Sequence, residues 1–316
     1  MEARILGLHH ITAIASDPQR NLDFYTGVLG LRLVKLTVNF DDPGSYHFYF
    51  GDGEGAPGTI LTFFPWPGAT RGRQGSGQAT TISFAVPENS MGYWRERLHG
   101  HQITVEGPGN RFDEEFLTFH DPDGMVLELV SQRGAQSGSG WTGGPVPVEY
   151  AIGGFHSVTL ELTSTEPTLE LLESTFGYSR IETEGTRVRL ESKKHGIGSI
   201  IDVVHSPAGN RGIPGAGTIH HIAFRTKSDE EQLDWRRGLT SLGHHVSPVM
   251  DREYFHSIYF REPGHILFEI ATDAPGFATD ETPDNLGTHL KLPPQYEAHR
   301  ETIEQALPKL KLPIAE

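Results

Sequence analysis

"LHHITAIA" at residues 8–15 is the first of four related stretches in the chain, the others being "ATTISFAV" from 79, "FHSVTLEL" from 155 and "IHHIAFRT" from 219. Each shows the period-two alternation and the β-branched residues of a strand. A polar turn and a helix-like segment follow each stretch, and the segments end at Gly30, Gly100, Gly177 and Gly243. Glycine suits the left-handed C-cap of a helix. The pattern therefore predicts a strand followed by a helix in four successive units.

After each of these glycines the alternation returns in further strand-like runs, and the last run of each unit begins with another glycine. These last runs are "GTILTFF" (58–64), "GMVLELV" (124–130), "GSIIDVV" (198–204) and "GHILFEI" (264–270). The first strands start at 8, 79, 155 and 219, hence at separations of 71, 76 and 64 residues, as in a repeated structural unit. We predict an α+β fold of four βαβββ modules, forming two domains with cupped mixed or antiparallel sheets.

Residues 131–154, "SQRGAQSGSGWTGGPVPVEYAIGG", separate the second unit from the third and are rich in Gly, Ser and Pro. Such a composition is typical of a linker. The predicted division is an N-terminal domain of modules one and two (1–131), a linker (132–151), a C-terminal domain of modules three and four (152–273) and a tail (274–316). In the tail, "QYEAHRETIEQALPKL" predicts a terminal helix that packs across the body.

The composition narrows the class of partner. Among 316 residues there are 26 Lys and Arg against 41 Asp and Glu, and the net charge of −15 argues against nucleic acid or an anionic membrane surface. The count of 0 cysteines rules out disulfides, a thiolate metal site and a cysteine nucleophile. No apolar run approaches the roughly 18 residues of a membrane span. We expect a cytoplasmic protein that acts on a small molecule, and the sequence leaves homo-oligomerisation open.

Two of the four first strands carry a histidine pair, His9–His10 and His220–His221. Side chains alternate between the two faces of a sheet, so one member of each pair is expected on either face. His220 shares its face with Ile222 and Phe224, which are expected to pack under the helix. The alternation therefore predicts that His10 and His221 face the open, polar side, and that His9 and His220 face the packed side.

Superposing the four modules identifies one first-strand and one last-strand position that face the open side. The first is held by His10, Thr81, Ser157 and His221, and the second by Thr62, Glu128, Asp202 and Glu269. Only a pairing of modules one and four supplies two histidines and a carboxylate, namely His10, His221 and Glu269. Such a set leaves about three open positions on an octahedral divalent metal for substrate and O2, with Fe(II) as the first candidate. A closed zinc site would need a fourth ligand.

The fourfold pattern, "LHHIT" near the start, "IHHIAF" and the "FE" of the last strand resemble the vicinal oxygen chelate superfamily, which includes glyoxalases, bleomycin resistance proteins and extradiol dioxygenases. Over nearly the whole chain, including "YHFYFGDGEGAPGTILTFFP", "DREYFHSIYFREPGHILFE" and "DNLGTHLKLPPQYE", the sequence is similar to the hydroquinone ring-cleaving dioxygenases. The resemblance implies Fe(II), with Mn(II) as the alternative metal, O2 as co-substrate, and His10, His221 and Glu269 as the metal ligands.

The resemblance also implies roles beside the metal for five residues: His9, Thr12, His220, Arg252 and Tyr259. Tyr259 or a histidine would exchange the phenol proton, and Arg252 would stabilise developing negative charge. Catechol-cleaving extradiol enzymes usually take both histidines from the third and fourth modules, whereas the third module here carries Ser157. The implied substrates are therefore para-diols, that is hydroquinones with or without ring substituents, and the implied product is a hydroxymuconic semialdehyde.

Two alternatives remain open at the level of sequence. One is a metal-dependent lyase or isomerase of the glyoxalase type, although such sites usually carry more carboxylate or glutamine ligands. The other is a resistance protein of the same fold that sequesters a ligand without turnover. Consumption of O2 with hydroquinone distinguishes a dioxygenase from both.

Overall fold

The computed structural model describes residues 5–132 and 141–313. It confirms the predicted α+β fold of four βαβββ modules. Module one comprises β1 (Leu8–Ala15), α1 (Pro18–Leu22) with a π-helical turn (Asp23–Val28), β2 (Arg32–Asn39), β3 (Asp42–Gly51) and β4 (Ile60–Pro65). Module two comprises β5 (Gln78–Pro87), α2 (Met91–Gly100), β6 (Glu106–Arg111), β7 (Glu114–His120) and β8 (Val126–Gln132).

The second half of the chain repeats this order. Module three comprises β9 (Gly154–Leu162), α3 (Glu166–Glu170) with a π-helical turn (Leu171–Thr175), β10 (Ser179–Glu184), β11 (Arg187–Glu191) and β12 (Ile200–His205). Module four comprises β13 (Thr218–Thr226), α4 (Asp229–Ser241), β14 (Met250–Asp251), β15 (Phe255–Arg261) and β16 (Leu267–Pro275). The tail forms short 3-10 turns and then the predicted terminal helix, α5 (Arg300–Ala306), whose Ile303 is buried.

The strands form two curled sheets of eight strands each, and each sheet combines two modules. The first sheet has the order β14-β15-β16-β13-β1-β4-β3-β2 and joins module four to module one. The second has the order β10-β11-β12-β9-β5-β8-β7-β6 and joins module three to module two. In both sheets the modules meet through an antiparallel pair of first strands, β1 with β13 and β5 with β9.

The sheets therefore do not follow the predicted grouping of modules one with two (1–131) and three with four (152–273). They follow the pairing of modules one and four that selects His10, His221 and Glu269 as candidate metal ligands. Part of the predicted linker (132–151) lies outside the described residues, and its remainder contains a short 3-10 turn, Val148–Tyr150. As a division of the chain into two-module halves, the domain boundaries remain a prediction.

Glycines close three of the four helical segments as predicted. Gly30, Gly177 and Gly243 have φ of 71°, 82° and 91°, in the left-handed region. Module two differs, because Gly100 is the last residue of α2 and the chain turns two residues later at Gln102, whose φ is 61°. The expectation of a C-cap at Gly100 is therefore wrong.

The concave side of the first sheet contains a small apolar cluster of its own, to which the tail contributes Phe277 and Leu286. Two ion pairs hold the tail there. Nζ of the fully buried Lys35 lies 2.5 Å from Asp280 Oδ1 and 2.5 Å from Glu281 Oε2. The tail thus closes part of the cup that holds the candidate site. None of the helices in residues 5–132 and 141–313 is both long and apolar enough to cross a lipid bilayer.

Candidate metal centre and adjoining cavity

Three neighbouring strands of the first sheet bring His10, His221 and Glu269 together, as predicted. β13 lies between β1 and β16, and each of these strands supplies one residue. Glu269 Oε2 lies 3.2 Å from His10 Nε2 and 2.9 Å from His221 Nε2, and the two Nε2 atoms are 3.4 Å apart. All three side chains are buried. Their ligand atoms therefore converge on one point that is shielded from bulk solvent.

The chemistry of these three groups fits a divalent metal ion. Burial by itself would raise the pKa of Glu269, but the facing His10 and His221 hold that pKa well below its usual value, so the carboxyl is an anion. Burial lowers the pKa of His221, which favours the neutral imidazole that a metal needs. Glu269 Oε1 accepts a hydrogen bond from Ser257 Oγ, whereas Oε2 faces the two Nε2 atoms without a hydrogen bond of good geometry to any of the described residues. A metal ion would satisfy that buried oxygen.

His10, His221 and Glu269 would leave coordination positions of a bound metal free. In the described part of the chain, only His10, His221 and Glu269 form a group of three or more His, Cys, Asp or Glu side chains placed to hold a metal. Three protein ligands leave coordination positions for small molecules, as in catalytic sites, whereas closed structural sites use four. The arrangement can therefore hold a metal together with exogenous ligands.

The other histidine of each pair lies next to the ligand rather than under the helix. In the pairing of β1 with β13, Leu8 faces Phe224 while His10 faces Ala223, so His9 is an extra residue in β1. His220 is likewise the extra residue in β13, between partners of Thr12 and Ala13. Two opposing β-bulges thus interrupt the strict alternation of faces. The prediction that His9 and His220 face the packed side is therefore wrong.

These bulges place each extra ring against its neighbour. His9 Nδ1 lies 2.9 Å from His10 Nδ1, and His220 Nδ1 lies 2.7 Å from His221 Nδ1. Burial and the adjacent His10 lower the pKa of His9, so its ring is neutral and can accept a hydrogen bond at Nδ1. Each ligand histidine can then donate from Nδ1 to its neighbour and present the Nε2 lone pair to a metal.

A cavity of about 260 Å³ adjoins His10 and His221. Its walls are strongly aromatic, and one side belongs to module one and the other to module four. The lining residues are His10, Thr12, Asn39, Phe40, Asp41, His47, Tyr49, Phe64, Trp66, His220, His221, Arg252, Phe255, Tyr259 and Leu267. Thr12, His220, Arg252 and Tyr259, which the family resemblance singles out, all line this cavity, while His9 lies behind it against Phe255.

Arg252 connects the two sides of the cavity. Its Nε lies 3.3 Å from the hydroxyl oxygen of Tyr259, and its Nη2 lies 3.2 Å from a carboxylate oxygen of Asp41 in module one. Burial and the facing Glu269 raise the pKa of Tyr259, so this hydroxyl keeps its proton. Because it accepts from Arg252, the hydroxyl is free to donate its own hydrogen. Tyr259 is therefore suited to act as a hydrogen-bond donor or acid, and not as a base.

Module one contributes two polar residues, His47 and Tyr49, that were not predicted from the sequence. Thr62 Oγ1 lies 2.8 Å from Thr12 Oγ1 and 3.0 Å from His47 Nε2, and His47 Nδ1 lies 3.0 Å from the hydroxyl of Tyr49. In the sequence, His47 and Tyr49 alternate with Phe48 and Phe50 in β3. That alternation could have identified them as the polar face of the strand.

In the second sheet, the positions equivalent to His10, Thr62, His221 and Glu269 do not form a set of metal donors. They are occupied by Thr81, Glu128, Ser157 and Asp202, as the superposition of modules predicts. Arginines neutralise the two carboxylates: Arg111 Nη2 lies 2.6 Å from Glu128 and Arg189 Nε lies 2.8 Å from Asp202. Guanidinium groups therefore supply the positive charge here, and the second cup is a salt-bridged structure.

Comparisons with known proteins extend over the whole molecule. The model of the Glyoxalase/Bleomycin resistance protein/Dioxygenase superfamily matches residues 7–129. The "Putative ring-cleaving dioxygenase MhqO" of Bacillus subtilis (strain 168) is 51% identical over 307 residues, 97% of each chain. The "Chlorohydroquinone/hydroquinone 1,2-dioxygenase" of Sphingobium indicum is 33% identical over 306 residues, 95% of each chain.

Solved structures share the architecture. The crystal structure of a "putative dioxygenase" from Bacillus subtilis subsp. subtilis str. 168 has a TM-score of 0.94 at 49% identity and covers 98% of this chain and 99% of that one. Glyoxalase I from Zea mays has a TM-score of 0.62 at 14% identity, over 84% of this chain and 92% of that one, and this similarity concerns the fold alone.

Proposed function

Since the chain belongs to the ring-cleaving dioxygenases of the glyoxalase/bleomycin resistance protein/dioxygenase superfamily, we propose that it opens the ring of hydroquinones with O2 at an Fe(II) ion. The observation that carries the proposal is the convergence of His10, His221 and Glu269 beside an aromatic-walled cavity. A relative named for this activity on hydroquinone and chlorohydroquinone supports the substrate class.

The dimensions and charges of the cavity support a small aromatic substrate. Its volume of about 260 Å³ exceeds the roughly 150 Å³ cavity that accommodates benzene in an engineered apolar site, so one substituted ring fits. Phe64, Trp66 and Phe255 provide faces against which a ring can pack. The carboxylate of Asp41 engages Arg252, which leaves this cation partly neutralised and favours a ring without a carboxylate.

His10, His221 and Glu269 would hold the metal. Fe(II) bound to them would supply a Lewis acid for a phenolic oxygen and a path for electrons between the ring and O2. Mn(II) is the alternative metal, because the same donor types bind both ions. His9 and His220 would orient the two imidazoles through their Nδ1 atoms.

The remaining residues act on the substrate's charge and protons. Tyr259, with its raised pKa, would donate a hydrogen bond or a proton to a substrate oxygen. Arg252 would hold Tyr259 in position and place positive charge next to developing anionic oxygen. Thr12, two residues from His10 on β1, contributes a hydroxyl group to the cavity lining from module one.

The decisive experiment is anaerobic loading with Fe(II) followed by oxygen-electrode traces with hydroquinone, methylhydroquinone and catechol. We expect O2 consumption with the para-diols and little with catechol. A His10→Ala variant loaded in the same way serves as the control for adventitious iron. Absence of O2 uptake with every para-diol would refute the dioxygenase assignment and favour a lyase, an isomerase or a ligand-sequestering protein.

A further inference from the structure

Four side chains of module one form a continuous hydrogen-bonded chain, three of whose members, Tyr49, His47 and Thr12, line the cavity. It runs from Tyr49 through His47 and Thr62 to Thr12, with distances between successive polar atoms of 3.0, 3.0 and 2.8 Å. Thr12 and Tyr49 are 1% exposed, His47 is 8% and Thr62 is 0% exposed. Because water has little access, the hydrogens of these groups must be distributed among the four side chains themselves.

The direction in which these hydrogens are donated is determined at Tyr49, the first residue of the hydrogen-bonded chain. Within the described residues, the hydroxyl of Tyr49 has His47 Nδ1 as its hydrogen-bond partner, and burial raises the pKa of this tyrosine well above its usual value. If His47 donated to Tyr49, the buried hydroxyl hydrogen would lack an acceptor, which costs more than an unused oxygen lone pair. Tyr49 therefore donates to His47 Nδ1.

The direction then propagates along the chain. Burial lowers the pKa of His47, so the ring is neutral and carries its one hydrogen on Nε2. That hydrogen is donated to Thr62 Oγ1, and Thr62 donates its hydroxyl hydrogen to Thr12 Oγ1. The ring of His47 is held between Tyr49 and Phe64, with centroids at 4.1 and 4.4 Å, which keeps it from turning over. Only the hydrogen of Thr12 remains undirected.

We propose that Tyr49, His47 and Thr62 are positioning residues that direct the hydroxyl hydrogen of Thr12 into the cavity, where it donates to the ionised oxygen of a bound phenol. Thr12 lies two residues from His10 on β1, and both line the cavity. A donor at this point stabilises the phenolate form of the ligand and not the neutral phenol. The proposal rests on the proposed function, because it requires a phenol bound beside the metal ligands.

Other charged and titratable groups also face such a ligand. They are His10, His47, His220 and His221, Asp41, Arg252, and the phenols of Tyr49 and Tyr259. The test must therefore compare variants in which these groups stay in place. Thr62→Val satisfies this condition, since it removes one hydroxyl while keeping the shape of the side chain, and Thr62→Ser restores a hydroxyl. Tyr49→Phe also removes one of the phenols that line the cavity, so its effect is interpreted together with Thr62→Val in the double variant.

The measurement is the apparent pKa of 4-nitrophenol bound to the anaerobic Fe(II) protein, read from the visible absorbance of the nitrophenolate. We expect the pKa of the bound phenol to rise by about half a unit to one unit in Tyr49→Phe and in Thr62→Val, the size of one hydrogen bond. Thr62→Ser should restore the wild-type value. Since both hydroxyls belong to one chain, the double variant should shift no further than Thr62→Val alone.

Tyr178→Phe is the matched control. Tyr178 is a buried tyrosine whose hydroxyl has no hydrogen-bond partner among the described residues, and it packs against Phe224. The Tyr178→Phe substitution should leave the pKa of bound nitrophenol unchanged. Equal pKa values in the wild type, Tyr49→Phe and Thr62→Val would overturn the donor chain, as would additive shifts in the double variant. Failure of the wild-type Fe(II) protein to bind the phenol would instead overturn the proposed function itself.

Discussion

His9 Nδ1 lies 2.9 Å from Nδ1 of His10, the next residue in the same strand. Consecutive side chains of a regular strand point to opposite faces, so this contact depends on the β-bulge at His9. The same relationship recurs between His220 and His221 at 2.7 Å. Each doubled histidine thus combines a candidate metal ligand with a second ring within hydrogen-bond distance of it.

We predict that His9→Ala and His220→Ala each weaken metal binding by about 10- to 100-fold, because the ligand imidazole loses its Nδ1 partner. Competition with a chromophoric chelator measures the affinity. His156→Ala is the control, since His156 Nδ1 contacts Ser157 Oγ at the equivalent position of the second sheet. Unchanged affinity in both cavity variants would contradict the orienting role.

Removal of a ligand should have a larger effect than removal of its neighbour. We expect His10→Ala and His221→Ala each to lose bound metal, because two remaining donors do not hold a divalent ion against water. Ser157→Ala should retain the wild-type metal content, although Ser157 occupies the position equivalent to His10. Metal analysis after gel filtration provides the measurement, and full iron content in His10→Ala would refute the pairing of modules one and four.

The stability of the metal-free protein should fall in acid. Burial lowers the folded-state pKa of His9 and of His47 below the ordinary value of 6.5. Below that pH the unfolded chain binds protons that the folded chain does not, so the free energy of unfolding decreases as the pH falls, by about 1.4 kcal/mol per pH unit for each histidine.

Urea titrations of the metal-free protein between about pH 7.5 and about pH 5.5 measure this dependence. His47→Gln should show a shallower decline than the wild type, because one of the responsible groups is missing. A matched substitution at the exposed His195, whose Nδ1 lies 2.9 Å from Glu191 Oε2, provides the control for the loss of a histidine at the surface. An identical slope in His47→Gln would contradict the assignment.

The arginines of the second sheet should matter for stability and not for metal binding. Arg111→Met leaves Glu128 buried without its ion-pair partner and should lower the free energy of unfolding by about 3 kcal/mol. Adding Glu128→Gln should recover part of that loss. Urea unfolding and metal analysis of the same samples provide the measurements. Loss of metal in Arg111→Met with an intact fold would show that the two sheets are functionally coupled.

The repeat structure and the convergence of His10, His221 and Glu269 could be predicted from sequence for a physical reason. Alternation fixes the face of each residue, and equivalent positions of repeated modules can be compared without knowing how the sheets curve. His10, His221 and Glu269 were the only combination that collected two imidazoles and a carboxylate. Their convergence in the structure agrees with this prediction.

Features that depend on irregular pairing could not be predicted. A β-bulge adds a residue to one strand only. Nothing in the sequence around His9 or His220 distinguishes a bulged position from a regular strand position. Similarly, the ion pair of Arg252 with Asp41 joins residues of different modules. Asp41 lies in the turn between β2 and β3, and the course of that turn depends on tertiary packing. The resemblance to a family indicated Arg252, but Asp41 and His47 required the structure.

Hydrogen bonding of β1 to β13 has a consequence for synthesis on the ribosome. Strands β5 and β9 are much closer in sequence than β1 and β13, so the inner two modules can complete their sheet while the last module is still being translated. During that interval one edge of β1 has no partner strand, and such an edge invites intermolecular pairing. His10 gains its fellow ligands only when residue 269 has emerged, so the nascent chain cannot acquire its metal before its fold is nearly complete.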